Sequence, residues 1–121
     1  MTKAQTFSKA DLAQFTGSEH WYRHASTGAL YTDGAKYVAE TAGAYWLLNE
    51  IAFAQRFEKR LQRQGFQSWN LFIWPSGEGL LRCTDGNGNT LFQKWIAYTD
   101  FPLCGVTLYF SDNTIYLPSE Y

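Results

Sequence analysis

The clearest pattern along the chain is a helical repeat of apolar side chains near its middle. The repeat consists of Leu47, Ile51, Ala54 and Leu61. Spacings of three, four and seven residues place these side chains on one face of a helix. Gly65 follows the repeat, and glycine often ends a helix because it readily adopts a left-handed conformation. The pattern predicts one long helix from Ala44 to about Gln64, with its first half buried.

A shorter helix is predicted near the start of the chain by capping residues rather than by periodicity. Ser8 is a preferred N-cap residue, and Asp11 stands three residues later in the position of the capping-box acid. Phe7 and Leu12 occupy the two positions of a hydrophobic staple. These features predict a short helix from about Lys9 to Phe15.

Alternation of apolar and polar side chains, typical of β-strands, dominates the chain after Gly65. It recurs in residues 67–74, 80–84, 90–98, 106–110 and 114–117. Turn-forming residues separate these stretches, as in Pro75-Ser76-Gly77 and Asp85-Gly86-Asn87. The second half of the chain is therefore expected to form a meander of antiparallel strands.

Three shorter strand-like stretches lie between the two predicted helices. They are Trp21-Tyr22, Ala29-Leu30-Tyr31 and the alternating stretch from Lys36 to Glu40. Asp33-Gly34 favours a hairpin turn before the last of them. An alternative is that residues 36–40 form the opening turn of the long helix. The overall prediction is one α+β domain over residues 1–121, in which an antiparallel meander sheet of about five to six strands packs against one long and one short helix.

The predicted sheet carries large side chains on both faces. Val106, Leu108 and Phe110 give one strand a single apolar face, as expected for a half-buried sheet. Another strand, however, places large groups on both sides: Trp69, Leu71 and Ile73 on one, Phe72 and Trp74 on the other. Tyr109, Tyr116 and Trp95 add to the second side. Cover by the N-terminal segment is the more ordinary explanation, and an aromatic surface for a partner is the alternative.

Composition narrows the function classes. The chain has 121 residues, 18% aromatic and 17% charged, with a formal net charge of −1. We therefore expect a folded domain and not a dedicated nucleic-acid binder, which would carry a basic excess. A local basic patch at Arg56-Phe57-Glu58-Lys59-Arg60 is explained most simply as an exposed helix face. No signal peptide or membrane-spanning run is recognised, so we expect a cytoplasmic protein with reduced cysteines and no membrane partner.

Both histidines lie in one window, His20-Trp21-Tyr22-Arg23-His24. Imidazole is a common general base and metal ligand near neutral pH. If this window is a strand, however, the two histidines are separated by roughly 13 Å at about 3.3 Å per residue, too far to share one zinc ion. The glutamate of a zinc-protease motif is also replaced by Trp21. We predict no metal site.

Other catalytic patterns are equally weak. Cys83 lies in a strand pattern and Cys104 at the start of another, where a buried cysteine behaves as a small apolar residue. The chain contains no G-x-S-x-G motif, and the glycine-rich stretch 86–89 lacks the lysine of a phosphate loop. We therefore predict no catalytic residue and no cofactor.

Several stretches of the chain together form a recognisable pattern: residues 15–24, Tyr31-Thr32-Asp33-Gly34, residues 42–48, Thr99-Asp100-Phe101-Pro102-Leu103 and residues 112–121. In these stretches the chain resembles a bacterial family of domains of unknown function, number 6876. The resemblance spans nearly the whole chain. It implies a bacterial protein, often encoded near mobile or phage-derived DNA, and it carries over no catalytic or binding residues.

These observations favour a non-enzymatic intracellular binding module, with an accessory or inhibitor protein of a mobile element as the setting that the resemblance implies. The expected partner is a protein or a second copy of the chain. The candidate surface comprises His20, Tyr22, Arg23, His24, Trp74, Trp95, Tyr109 and Tyr116. One alternative is a small enzyme that uses His20 or His24 on a polar substrate. Another is binding of single-stranded nucleic acid through an aromatic sheet face.

Overall fold

The computed structural model describes residues 8–17 and 19–121 and, within them, combines seven β-strands with three α-helices. The helices are α1 (Lys9–Ala13), α2 (Asp33–Thr41) and α3 (Tyr45–Phe57). The strands are β1 (Trp21–Arg23), β2 (Leu30–Thr32), β3 (Gln67–Ile73), β4 (Gly79–Thr84), β5 (Thr90–Ile96), β6 (Gly105–Ser111) and β7 (Thr114–Tyr116). Two short 3-10 helices, Lys59–Leu61 and Pro118–Glu120, complete the described elements. The α+β class is confirmed.

The sheet is mixed rather than wholly antiparallel. Its strand order is β1-β2-β7-β6-β3-β4-β5, and β2 pairs with β7 in parallel. Only β3, β4 and β5 form a meander, because β6 returns to pair with the free side of β3. The prediction of an antiparallel meander with five to six strands was therefore wrong in strand number and type. Alternation along each strand does not reveal which strands pair when the pairing is distant in sequence.

Residues 36–40 belong to helix α2 and not to a strand. Thr32 caps this helix, since its side-chain oxygen accepts a hydrogen bond from the backbone N–H of Ala35 at 3.3 Å. Asp33-Gly34 consequently begins the first helical turn instead of a hairpin. Ala35, Val38 and Ala39 form the buried face. The sequence of this stretch fits both periods, and the helix buries these small side chains against the core.

The long helix is shorter than its apolar repeat. Helix α3 ends at Phe57, and the extended backbone of Glu58 leads into the 3-10 helix Lys59–Leu61. Leu61 is nevertheless buried at 1% exposure. The repeat therefore predicted which side chains enter the core, while the backbone changes from one kind of helix to another before its last member.

Helix α1 keeps the predicted start and ends two residues before the predicted one, at Ala13. The capping box is confirmed: the Ser8 backbone N–H donates to the Asp11 carboxylate at 2.9 Å, and the Asp11 N–H donates to the Ser8 hydroxyl at 3.3 Å. The predicted staple involves Phe7, which lies outside the described residues. Ser119 Oγ donates to the Leu12 carbonyl at 3.2 Å, so α1 lies beside the 3-10 helix Pro118–Glu120.

The hydrophobic core lies between one face of the sheet and helices α2 and α3. Its members from the strands include Trp69, Leu71, Leu81, Cys83, Leu108 and Ile115, and its helical members include Val38, Leu47 and Ile51. We call this side of the sheet the inner face and the opposite side the outer face. Because successive side chains on a strand point to opposite sides, every strand also contributes residues to the outer face.

Candidate interaction surface

The outer face carries the side chains that alternate with the core residues. In the strand register, Phe72 lies opposite Leu80, and Leu80 lies opposite Trp95. On the other side of β3, Ser68 lies opposite Tyr109, which in turn lies opposite Tyr116. The outer face therefore runs from a tryptophan end on β3, β4 and β5 to a tyrosine end on β6 and β7.

The tryptophan end presents the largest exposed rings. Trp74 and Trp95 lie with their ring centroids 5.8 Å apart, and they are 43% and 64% exposed. Phe72 beside them is 42% exposed, while Leu80 is buried because the neighbouring side chains cover it. The guanidinium of Arg82 lies 5.8 Å from the centre of the Phe72 ring. This end thus combines a paired aromatic surface with one adjacent cation.

Polar side chains occupy the middle of the outer face and bond to one another. Thr107 Oγ1 donates to the Asn70 side-chain oxygen at 2.8 Å, and Asn70 donates to Ser68 Oγ at 3.3 Å. Arg82 Nε donates to the Gln93 side-chain oxygen at 3.1 Å. These bonds fix the orientation of the polar groups, including that of Arg82, and separate the two aromatic ends.

The tyrosine end is a packed cluster of rings. Tyr109 contacts Phe66 at 4.8 Å, Tyr116 at 5.9 Å and Tyr121 at 6.0 Å between ring centroids. Tyr116 is buried, and its hydroxyl lies 2.9 Å from Ser111 Oγ. Tyr121 is 83% exposed and forms the outer layer. The sequence reasoning did not select Tyr121 or Phe66, since neither belongs to a strand.

Helix α1 borders the outer face without covering its tryptophan end. Lys9, Leu12 and Ala13 line a cavity of about 410 Å³ together with Phe72 and Thr107 of the sheet. Trp74 and Trp95 remain exposed beside it. Among the residues that the structure describes, the N-terminal segment therefore forms a rim at this face, while the paired tryptophans face solvent.

The histidine window is divided between the two faces. Trp21 and Arg23 point to the outer face, whereas Tyr22 lies on the side of α2, where its ring stacks on Tyr31 at 5.6 Å. His20 precedes β1 and His24 follows it. The predicted surface residues therefore do not form one patch: the strand separates the two histidines, and alternation separates Tyr22 from Arg23.

His24 connects the loop after β1 to helix α3 through hydrogen bonds of its ring. The Thr27 backbone N–H donates to His24 Nδ1 at 3.2 Å, so the ring proton lies on Nε2, which donates to Asn49 Oδ1 at 2.8 Å. The ring also meets Phe53 edge-on at 5.3 Å. Both ring nitrogens thus have protein partners, an arrangement that positions the loop.

Asp33 connects the start of β1 to the first turn of α2. Its carboxylate accepts hydrogen bonds from the Tyr22 hydroxyl at 3.1 Å and from the backbone N–H groups of Glu19 and His20 at 3.2 and 3.4 Å. His20 Nδ1 lies 3.8 Å from the same carboxylate. The hydrogen bond to Asp33 raises the pKa of Tyr22, with further contributions from burial and from the negative charge of Asp33.

Comparison with known proteins identifies the family. The profile of a family of unknown function (DUF6876) matches residues 6–121. The chain belongs to this family. No curated protein and no solved structure matches the chain. The resemblance noted from the sequence is thereby confirmed, and the DUF6876 fold can be described from the elements above.

The family assigns no chemistry to its members, so the reactive groups must be judged by their surroundings. In this DUF6876 protein, burial and then the negative charge of Asp85 raise the pKa of Cys83 to about 12, which keeps its thiol protonated near neutral pH. Cys104 is exposed. Within residues 8–17 and 19–121, no three histidine, cysteine or acidic side chains converge as metal ligands, and no helix is long and apolar enough to span a membrane.

Proposed function

We propose that this protein is a non-enzymatic binding module that holds another protein against the tryptophan end of its outer face. The observation that carries the proposal is the Trp74–Trp95 pair, two adjacent rings that are 43% and 64% exposed. Tryptophan supplies a large apolar area with a polar N–H, and it is enriched among the residues that dominate binding energy. Phe72 and Arg82 extend this surface with residue types that are also common at interfaces.

The sheet edge is a less suitable contact than the sheet face. Strand β5 lies at one edge and carries a bulge opposite the Cys83–Thr84 step. Lys94 on this strand bonds to Glu50 of α3 at 2.7 Å. Bulges and lysines are two features by which proteins prevent pairing at sheet edges. A partner is therefore expected to pack on side chains of the outer face instead of adding a strand to β5.

The charge of the outer face favours a protein partner over a nucleic acid. A single-strand binder combines stacking rings with a cationic groove along the backbone path. At the tryptophan end the nearby cation, Arg82, is already held by Gln93 and lies over the Phe72 ring. The net charge of −1 adds no attraction for phosphate groups. Retention on an oligonucleotide column that falls steeply with salt would favour the nucleic-acid alternative instead.

A matched pair of variants tests the proposal. Trp95→Ala removes an exposed ring from the outer face, and Phe57→Ala removes an equally accessible ring, 70% exposed, from helix α3. We expect the first variant to reduce capture of the partner by roughly tenfold or more and the second to leave it unchanged. Proteins captured from the native host are quantified by mass spectrometry, and self-association is measured by sedimentation.

Two results would contradict the proposal. One is that Trp95→Ala and the wild-type protein capture the same proteins and have the same oligomeric state. The other is that Phe57→Ala causes the larger loss, which would move the interface to helix α3. A loss of self-association in Trp95→Ala would identify the partner as a second copy of the chain. The mobile-element setting remains a prediction from the family resemblance alone.

No observation on the described residues favours the enzymatic alternative. His24 has protein partners at both ring nitrogens. His20 is 69% exposed, and its Nδ1 lies 3.8 Å from the Asp33 carboxylate. General base catalysis requires a histidine that can reach the proton of a bound substrate in a shaped site.

A further inference from the structure

A slot between aromatic rings lies at the end of the outer face that is farther from the tryptophan pair. Trp21 forms one wall, and Tyr116 with Tyr121 forms the other, around a cavity of about 270 Å³. Trp21 and Tyr121 are 56% and 83% exposed. Tyr116 and Tyr121 are stacked with an angle of 11° between their ring planes. The slot is therefore open to solvent and bordered by aromatic side chains.

The strand register explains why a slot forms at this place. Trp21 on β1 pairs with Thr32 on β2, and the parallel pairing of Tyr31 with Ile115 places Thr32 beside Tyr116 on β7. Two strand spacings, about 10 Å in total, separate Trp21 from Tyr116. The small side chain between them is Thr32, which is 4% exposed. A small residue between two large ones leaves a gap in the outer face, and the Glu120 carboxylate, bonded to Thr32 Oγ1 at 2.7 Å, borders this gap.

Carboxylates supply the polar part of the slot. Glu120 and Asp112 line it, and none of the described residues in its lining is a lysine or an arginine. The Glu120 carboxylate accepts hydrogen bonds from Thr32 Oγ1 at 2.7 Å, from Leu117 N–H at 2.8 Å and from Gly34 N–H at 3.1 Å. A Cβ at position 34 would lie only 2.5 Å from Glu120 Oε1, so the glycine makes room for this carboxylate. The negative charge is fixed in position before any ligand arrives.

We propose that this slot binds an organic cation, a guanidinium or alkylammonium group. Aromatic ring faces attract cations through their negative quadrupole, and rings combined with carboxylates are a recurring way to hold them. Aromatic side chains together with carboxylates also suit a flat guanidinium, which stacks on aromatic rings and donates hydrogen bonds to carboxylates at its edge. The inference rests on the proposed function only for the source of the cation, a side chain of the protein partner.

Arg23 is a protein cation on the outer face near this slot. It lies two residues beyond Trp21 on β1 and pairs with Leu30, next to Thr114, which lines the slot. Its positive charge reduces the attraction for a second cation. Removing this charge is therefore expected to strengthen binding, a result that a purely structural role of the slot would not produce.

The test compares a cation with its neutral isostere. The probes are N-acetyl-arginine methylamide and N-acetyl-citrulline methylamide, titrated while the tryptophan indole N–H signals are followed by NMR. We expect the arginine probe to shift the Trp21 signal at millimolar concentration and the citrulline probe to bind about tenfold more weakly. Tetramethylammonium serves as a third probe: binding as strong as that of the arginine probe would identify a free alkylammonium, rather than a side chain, as the preferred source.

Three variants locate the binding. Asp112→Asn keeps a residue that tolerates the left-handed backbone of this position (φ 52°), and it should weaken the arginine probe several-fold. Trp21→Ala removes the reporting indole, so its binding is followed in the backbone amide signals of the slot residues, which should no longer shift, while the remaining amide spectrum confirms the fold. Arg23→Gln should strengthen binding. Equal binding of the arginine and citrulline probes, or unchanged binding in Asp112→Asn, would overturn the inference.

The outcome is separable from that of the proposed function. Trp95 lies at the other end of the outer face, so Trp95→Ala should leave probe binding intact. If Trp95→Ala loses the partner while the arginine probe never shifts Trp21, the binding-module proposal stands and the cation site fails. If the probe binds and partner capture is insensitive to Trp95, the cation site stands and the proposed interface fails.

Discussion

Two tryptophans of the same sheet, Trp69 and Trp95, show how differently its two faces use the same residue type. Trp69 on the inner face is 1% exposed, and its indole N–H donates to Gln67 Oε1 at 2.9 Å. Trp95 on the outer face is 64% exposed. The inner ring has a core around it and a partner for its polar atom, as buried indoles usually do. A tryptophan therefore indicates an interaction surface only when nothing else in the fold covers it.

The largest expected difference between the faces is in stability. Trp69→Ala should lower the free energy of unfolding by about 3–5 kcal/mol, because it leaves a large cavity in the core and removes one of the hydrogen bonds to Gln67 Oε1. Trp95→Ala should change it by less than about 1 kcal/mol, since no packed core is opened. Urea denaturation followed by far-UV circular dichroism measures both values. Equal losses in the two variants would contradict the assignment of Trp95 to an exposed surface.

The second test concerns the buried polar group of the inner face. Gln67 is 1% exposed and exchanges two hydrogen bonds with Gln55 of α3, at 2.7 and 2.8 Å. Gln67→Leu should cost about 2–3 kcal/mol, because it removes the acceptor of the Trp69 N–H and the donor to Gln55 Oε1. Asn70→Leu removes a bonded amide from the outer face, where water replaces the lost partner. If Gln67→Leu and Asn70→Leu lowered the urea denaturation midpoint by similar amounts, the outer face would not be accessible to water.

A smaller loss of stability is expected from substitution of the histidines on either side of strand β1. His24→Ala removes the link between the β1–β2 loop and Asn49, and should cost about 1–2 kcal/mol in urea denaturation. His20→Ala is the control, since its side chain is 69% exposed and should change the midpoint little. A larger loss of stability in His20→Ala than in His24→Ala would mean that His20, and not His24, positions this loop.

The smallest expected effect is a difference in chemical reactivity between the two cysteine thiols. Cys83 is buried on the inner face with its pKa raised to about 12, whereas Cys104 is exposed. Iodoacetamide near neutral pH should label Cys104 in the native protein and Cys83 only after unfolding. Mass spectrometry of the labelled peptides reads the result. Native labelling of Cys83 at the rate of Cys104 would contradict its burial.

Much of the strand region could be predicted because its signals are local. Alternation and turn residues located both ends of each strand from β3 to β7 to within two residues. Alternation along β3 also predicted that Phe72 and Trp74 lie on the other face of the sheet from Trp69. Helix α2 was missed because residues 36–40 fit both helical and strand periods. Burial of Ala35, Val38 and Ala39 decided between them, and burial depends on the rest of the fold.

The parts of the surface that the sequence could not supply depend on distant pairing. The parallel register of β2 and β7 places Thr32 between Trp21 and Tyr116. No local sequence pattern predicts that these three side chains are neighbours. The histidine window was treated as one candidate patch, although alternation along a three-residue strand sends its members to different faces. Cover of the outer face by the N-terminal segment was the more ordinary of two explanations, and the described part of that segment lies at the rim.

The three hydrogen bonds to Glu120 have a consequence for the order of folding. Two of them connect residue 120 to Thr32 and Gly34, which precede it by 88 and 86 residues. During synthesis the first turn of α2 therefore lacks its hydrogen bond to Glu120 until residue 120 has been made. Strand β2 likewise cannot pair with β7 until residues 114–116 have been made. Contacts of such long sequence separation slow folding. We expect the helix start and the parallel strand pair to acquire protection from hydrogen exchange together and late.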